Sequence, residues 1–144
     1  MKIDKGSSIL NNYAEDKGDD LYIVNTEEPF VLDEVNIENP NAKTSMYIEK
    51  VELIMNKVVV KNIYSNPLSV KGAALACFDC GSIRITQSSF MNLRSILGGA
   101  IFIQENENKK KELSPNNQPK YLIHNNQFIN NTAITGGAIY IDNP

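Results

Sequence analysis

The 144-residue chain is short of most features that mark an activity. Basic residues are not gathered: apart from Lys109-Lys110-Lys111 they are scattered, only Arg84 and Arg94 are arginines, and the formal net charge is −3. That is not the electrostatic footprint of a nucleic-acid binder, so no nucleic-acid partner is expected. No apolar run approaches the roughly 20 residues of a membrane helix. Residues 1–20 carry charges throughout and lack the apolar segment of a signal peptide. The only cysteines are Cys77 and Cys80, too few for a disulfide-dense scaffold. There is one histidine, His124. A zinc site wants a second Cys or His pair and a calcium site an acidic cluster, so neither a metal nor a cofactor is expected.

What the chain has is repetition. Gly98-Gly99-Ala100-Ile101-Phe102-Ile103 returns as Gly136-Gly137-Ala138-Ile139-Tyr140-Ile141, with a weaker copy at Gly72-Ala73-Ala74-Leu75-Ala76-Cys77. Ser89-Phe90-Met91-Asn92 precedes the first strong copy and Gln127-Phe128-Ile129-Asn130 the second, and in both the Phe stands eight positions before the first Gly. Two blocks that keep one spacing define a repeat unit. Read toward the N-terminus, one column is Leu32, Val58, Ile85 and Ile123, and another is Ile37, Ile63, Phe90 and Phe128. Both step by 26, 27 and 38. A third is Ile23, Ile48, Leu75, Ile101 and Ile139. The long last step predicts an inserted loop at about 104–119, a polar stretch with the Lys run, Ser114-Pro115 and Asn116-Asn117.

Ile83 and Ile85 alternate with Arg84 and Thr86, as Ile101 and Ile103 alternate with Phe102, which is the period of a strand. Strands recurring about every 26 residues would pair in parallel with their own copies and bury a continuous core that no single coil could close alone. The expected fold is therefore all-β, a right-handed parallel β-helix (a solenoid) of about five partial coils, with handedness following the rule for parallel crossovers. The coils would begin near Leu21, Met46, Gly72, Gly98 and Gly136 and fill residues 21–144, with 1–20 a polar lead-in or cap. Gly and Ala suit one tight corner. Asn suits another (Asn39, Asn62, Asn92, Asn130, Asn131), where stacked amides could form a ladder. Ile139-Tyr140-Ile141 is not a polar cap, so the chain reads as a fragment. Its expected partners are further coils of a longer chain, or a second copy through self-association.

Gly-Gly-Ala-Ile paired with Phe-x-x-Asn resembles the repeat of the polymorphic outer-membrane protein family, surface proteins taken to be parallel β-helices of the pectin-lyase-like class. Phe128-Ile129-Asn130-Asn131 with Gly136-Gly137-Ala138-Ile139 matches in full; Phe90-Met91-Asn92-Leu93 carries Leu93 where the pattern has Asn. The resemblance implies an extracellular or cell-surface, membrane-associated and adhesin-like role as part of a longer protein. It implies no catalytic residues.

Several residues are candidates for more. Cys77 and Cys80 fit three readings: core thiols, a local disulfide, or a metal pair. Phe102 and Tyr140 stack outward in consecutive coils, continued by Tyr22 and Tyr47, and are the candidate ligand face for a glycan or a surface protein; lateral packing is the plainer reading. His124 aligns with Thr86 on the outward face. Asp19 and Asp20 are adjacent and would point to opposite faces of an extended segment. Asn130-Asn131-Thr132 is a glycosylation sequon, placed in a corner expected to stack. The outward positions Arg84, Thr86, Leu122, His124, Phe102 and Tyr140 hold no carboxylate, which argues against a glycosidase. The leading expectation is a non-enzymatic structural or adhesive segment. The alternative is a non-catalytic part of a pectin-lyase-like carbohydrate-active enzyme.

Overall fold

The computed structural model describes residues 1–64, 69–106 and 120–142. Among them there are strands and turns and no helix. Three five-stranded parallel sheets stack side by side, consistent with a parallel β-helix. The strands, in chain order, are β1 (Lys2–Ile3), β2 (Ser8–Leu10), β3 (Leu21–Val24), β4 (Phe30–Asp33), β5 (Asn36–Glu38), β6 (Met46–Glu49), β7 (Leu53–Asn56), β8 (Val59–Ile63), β9 (Ser69–Lys71), β10 (Leu75–Phe78), β11 (Ile83–Thr86), β12 (Ser89–Leu93), β13 (Ser95–Leu97), β14 (Ile101–Gln104), β15 (Tyr121–His124), β16 (Gln127–Ile129) and β17 (Ile139–Asp142). One sheet runs β1-β4-β7-β11-β15, the second β2-β5-β8-β12-β16, and the third β3-β6-β10-β14-β17; β9 and β13 form a small extra pair.

Each strand of the three sheets therefore lies beside its own repeat copies, as the periodicity predicted, but all three columns shift. Leu32 pairs with Met55, and Met55 with Ile85, so Met55 and not Val58 stands in that column. Likewise Ile37 pairs with Val60, and Val60 with Phe90, so Val60 replaces Ile63. The steps are uneven: Asp33 and Asn56, cross-bonded neighbours, are 23 apart, and Asn56 and Thr86 are 30 apart. Val58 and Ile63 are nonetheless fully buried, because they turn inward at the corners beside those columns. In the third sheet Ile23, Ile48 and Cys77 are partners, while Leu75 lies over Met46, which corrects the third column by two residues.

Residues 1–20 contribute a rung of their own. β1 pairs with β4 and β2 with β5, and Ile3 and Ile9 pack against the core. Of the expected insert at 104–119, only Gln104, Glu105 and Asn106 fall within the described residues. Lys120 makes an ion pair with Glu105 beside it.

The corners explain the glycines and asparagines. Gly72, Gly98 and Gly136 have φ of 48°, 62° and 64°, and a Cβ on Gly98 would stand 2.0 Å from the Ile101 carbonyl oxygen. No L side chain fits that turn. Asn62, Asn92 and Asn130 take φ of 58°, 56° and 53°, the left-handed conformation that Asn tolerates. Their amides form the expected ladder: Asn130 donates to Asn92 at 3.4 Å and Asn92 to Asn62 at 3.0 Å. Asn62 then donates to Glu38 at 2.6 Å. Asn39 is not in the ladder; it is buried and donates to the Asn12 carbonyl and the Asp20 carboxylate. Asn131 grips the coil beneath instead, accepting from the Leu93 N–H and donating to the Phe90 carbonyl.

Candidate interaction face

On a strand of the third sheet, alternate residues point into the core and away from it. Ile101 and Ile103 join the core cluster and Phe102 does not. By register the outward row is Tyr22, Tyr47, Ala76, Phe102 and Tyr140. Ala76 would break an aromatic column, but Phe78, two residues further along β10, fills the space. The result is five rings in one ladder. Tyr22 and Tyr47 stack at 5.3 Å, Tyr47 and Phe78 at 5.0 Å, and Phe102 and Tyr140 at 5.5 Å with planes 4° apart, while Phe78 meets Phe102 tilted by 46° at 5.7 Å. Phe78 is the member that the sequence reading missed; its aromatic run-on from Cys77 was the available signal.

The ladder is braced by charge. Lys71 Nζ sits 4.8 Å from the Phe78 ring centroid and 4.7 Å from that of Phe102, and donates to the Gln104 side chain at 2.8 Å. Gln104 in turn donates to Asp142. Lys17 Nζ lies 4.7 Å above the Tyr47 ring. Partial burial, then the Glu49 carboxylate that accepts its hydroxyl proton at 3.1 Å, pushes Tyr47 above its ordinary pKa. Neighbouring Tyr47 likewise raises Lys17.

This arrangement decides between the two readings of Phe102 and Tyr140. A sugar packs on the face of an aromatic ring, and in the ladder each interior ring face is covered by the next ring. Phe102 is 1% exposed, under Lys71, Phe78 and Tyr140. Only the two end rings keep one face clear of the ladder: Tyr22, which is 57% exposed, and Tyr140. The ladder is lateral packing between coils along its length, with a ring face clear of it only at its ends.

The remaining candidates resolve by contact. Cys77 and Cys80 are joined in a buried disulfide with Cα atoms 6.1 Å apart, so the free-thiol and metal readings give way. The bridge straddles Asp79, a corner residue with φ of 51°. Asp79 accepts from the backbone and the side-chain amide of Asn106. His124 lies beside Thr86 on the outward face, exposed, as expected. Asp19 and Asp20 are structural. Asp19 accepts from the backbone N–H groups of Ala14, Lys43 and Thr44, and Asp20 from Asn12, Asn39 and Ser45. Asn130 of the sequon is exposed at the end of the amide ladder.

Outward carboxylates do occur, at positions that the sequence register did not assign. Asp33, Glu34 and Glu38 are each spent on a neighbour. Hydrogen bonding by Asn56, then the charge of Lys2, holds Asp33 below the usual carboxylate range. Lys57 does the same for Glu34, and Asn62 with Lys61 for Glu38. Among the described residues no group of three His, Cys, Asp or Glu could hold a metal ion. No helix among them is long and apolar enough to cross a membrane. No protein-family model, curated protein or solved structure matches the chain.

Proposed function

We propose that this chain is a non-enzymatic structural or adhesive segment of a larger cell-surface protein, wound as a right-handed parallel β-helix of five coils. The observation that carries the reading is the use of its outward side chains. Polar and aromatic groups that could converge on a substrate instead bond the coil above or below: the five-ring ladder, the Asn130–Asn92–Asn62–Glu38 ladder, and the Thr86–Asn56–Asp33 series, with hydrogen bonds of 3.1 and 2.8 Å. Such side chains lend the solenoid lateral stiffness and leave the stack as the working part. The resemblance of the Gly-Gly-Ala-Ile and Phe-x-x-Asn blocks to polymorphic outer-membrane protein repeats supports placing it at a surface. The buried disulfide fits an oxidising compartment. Immunolabelling of intact, unpermeabilised source cells with an antibody to this chain tests the reading. Surface label that is lost on mild external proteolysis is expected. Label seen only after permeabilisation would overturn it.

A further inference from the structure

We propose that Arg94 and Tyr64 form a binding site for a carboxylated sugar on the flank of the stack. This deepens the adhesive reading above and rests on it. Ile63 and Leu93 are paired at the ends of β8 and β12, and the chain runs on from them through Tyr64 and Arg94. Arg94 in turn bridges in parallel to Thr132 of the next coil. Ile63, Leu93 and Ser95 are buried, so the residues beside them turn outward: Tyr64 is 53% exposed, and Arg94 and Thr132 are exposed with it. The three make one column along the side of the stack. Arg94 has a coil on each side of it, so its exposure follows from strand alternation.

The column borders a hollow. A cleft of about 480 Å³ is lined by Tyr64, Arg94, Ser95, Thr132, Ala133 and Ile134, a volume within the range of small-molecule sites. Ser95 is spent, its hydroxyl donating to the Leu97 and Gly98 carbonyls. The groups left for a ligand are the Arg94 guanidinium, the Thr132 hydroxyl, the Tyr64 ring and the apolar side chain of Ile134.

Arg94 is set apart from the other cations. Among the described residues every other basic side chain has a partner, and the Arg94 guanidinium has none. It is also an arginine in a chain whose positive charge is nearly all lysine. A guanidinium presents a planar fork that matches a carboxylate with two parallel hydrogen bonds, which lysine cannot do. No second cation lines the cleft to balance a doubly charged phosphate. Tyr64 lies outside the five-ring ladder, so its ring stays free to pack against the apolar face of a sugar. One charge, one ring and one hydroxyl within a single cleft fit a sugar that carries a carboxylate.

The test is isothermal titration calorimetry of the whole chain with a hyaluronan tetrasaccharide, whose uronate rings bear carboxylates. Chitotetraose, a neutral sugar of the same length, and hexaglutamate, an acidic peptide, are the comparisons. The uronate is expected to bind at least tenfold more tightly than either. Arg94→Gln is expected to weaken it by about tenfold or more, Arg94→Lys by less, and Tyr64→Ala by about fivefold, with circular dichroism confirming the wild-type β spectrum of each exposed-site variant. No binding of the uronate, equal binding of chitotetraose or hexaglutamate, or an affinity unmoved by Arg94→Gln would overturn the proposal. A chain that labels at the cell surface yet ignores the uronate keeps the segment reading and loses this one.

Discussion

Replacing Gly99 and Gly137 by alanine, one at a time, separates coil stacking from local turn chemistry. The two residues stand at the same place in the Gly-Gly-Ala element, and neither is at positive φ, so alanine is no burden to the local backbone. They differ only in what lies above. On Gly99 the new methyl would fall 2.1 Å from the Gly137 oxygen and 2.9 Å from that of Thr132, both backbone atoms that cannot swing aside. Room can come only from lifting one coil off another, which breaks Gly99 N–H to Gly136 O at 3.2 Å and strains Ala100 N–H to Ala138 O at 2.8 Å. Overpacking of this kind costs about 1–3 kcal/mol, and losing a backbone hydrogen bond adds about 1 kcal/mol, so about 3 kcal/mol is expected for Gly99→Ala. With a urea slope of about 2 kcal/mol/M, the midpoint falls by about 1.5 M. Gly137→Ala should hold or gain about 0.5 kcal/mol through the stiffer unfolded chain. Urea titration by circular dichroism reads both, at a concentration low enough to keep the chain monomeric. Equal effects of the two substitutions would refute the reasoning, because they would mean that no coil lies over Gly99.

Three further outcomes follow from other contacts. Asn92→Ala loses the amide bonds to Asn62 and Asn130 and forces alanine to φ of 56°, for about 2 kcal/mol in thermal or urea unfolding, whereas Asn92→Gly keeps the turn and should lose about half as much; no loss from Asn92→Gly would mean that the ladder contributes nothing. Asp33, Glu34 and Glu38 have pKa values lowered by folding from ordinary values of 3.8, 4.5 and 4.5, so their contribution is present above about pH 4.5 and is lost as pH falls through the folded values. Being only half-buried, they should give a small decline of melting temperature below pH 4.5 that weakens with added salt, and a melting temperature rising on acidification would contradict the pairing with Lys2, Lys57 and Asn62. The Cys77–Cys80 bridge, its cysteines 0% and 1% exposed, should resist dithiothreitol in the native state and open only with unfolding, read as thiol labelling by mass; fast native reduction would show that the corner is open to solvent.

Legibility in the sequence followed the strength of the local signal. The Gly-Gly-Ala corners and the Phe90–Phe128 pair were legible because a steric demand admits few residues there, and the register from β10 onward was read correctly, Cys77 with Ile103 and Ile141 included. Earlier coils lacked such markers. Leu53-Ile54-Met55 and Val58-Val59-Val60 are both continuous apolar runs, so alternation alone gave no unique phase, and coils of equal length were the natural assumption. Val58 and Ile63 deserve their hydrophobicity, but as corner residues turned inward. The first rung went unread because Lys2–Ile3 and Ser8–Leu10 are too short to show a period. Phe102 and Tyr140 were correctly placed outward, yet exposure depends on neighbours. The Lys71 and Phe78 contacts that cover Phe102 arise from other turns of the chain and leave no local trace.

The central claim is the parallel stacking of successive coils in this register, and methyl contacts in solution test it most directly. With Met, Ile, Leu and Val methyl groups labelled, Met55 should show nuclear Overhauser contacts to Leu32 on one side and Ile85 on the other, and Ile85 in turn to Ile123. Contacts from Ile85 to Val58 in place of Met55 would contradict the register, and the absence of Ile85–Ile123 contacts would contradict the stacked coil itself.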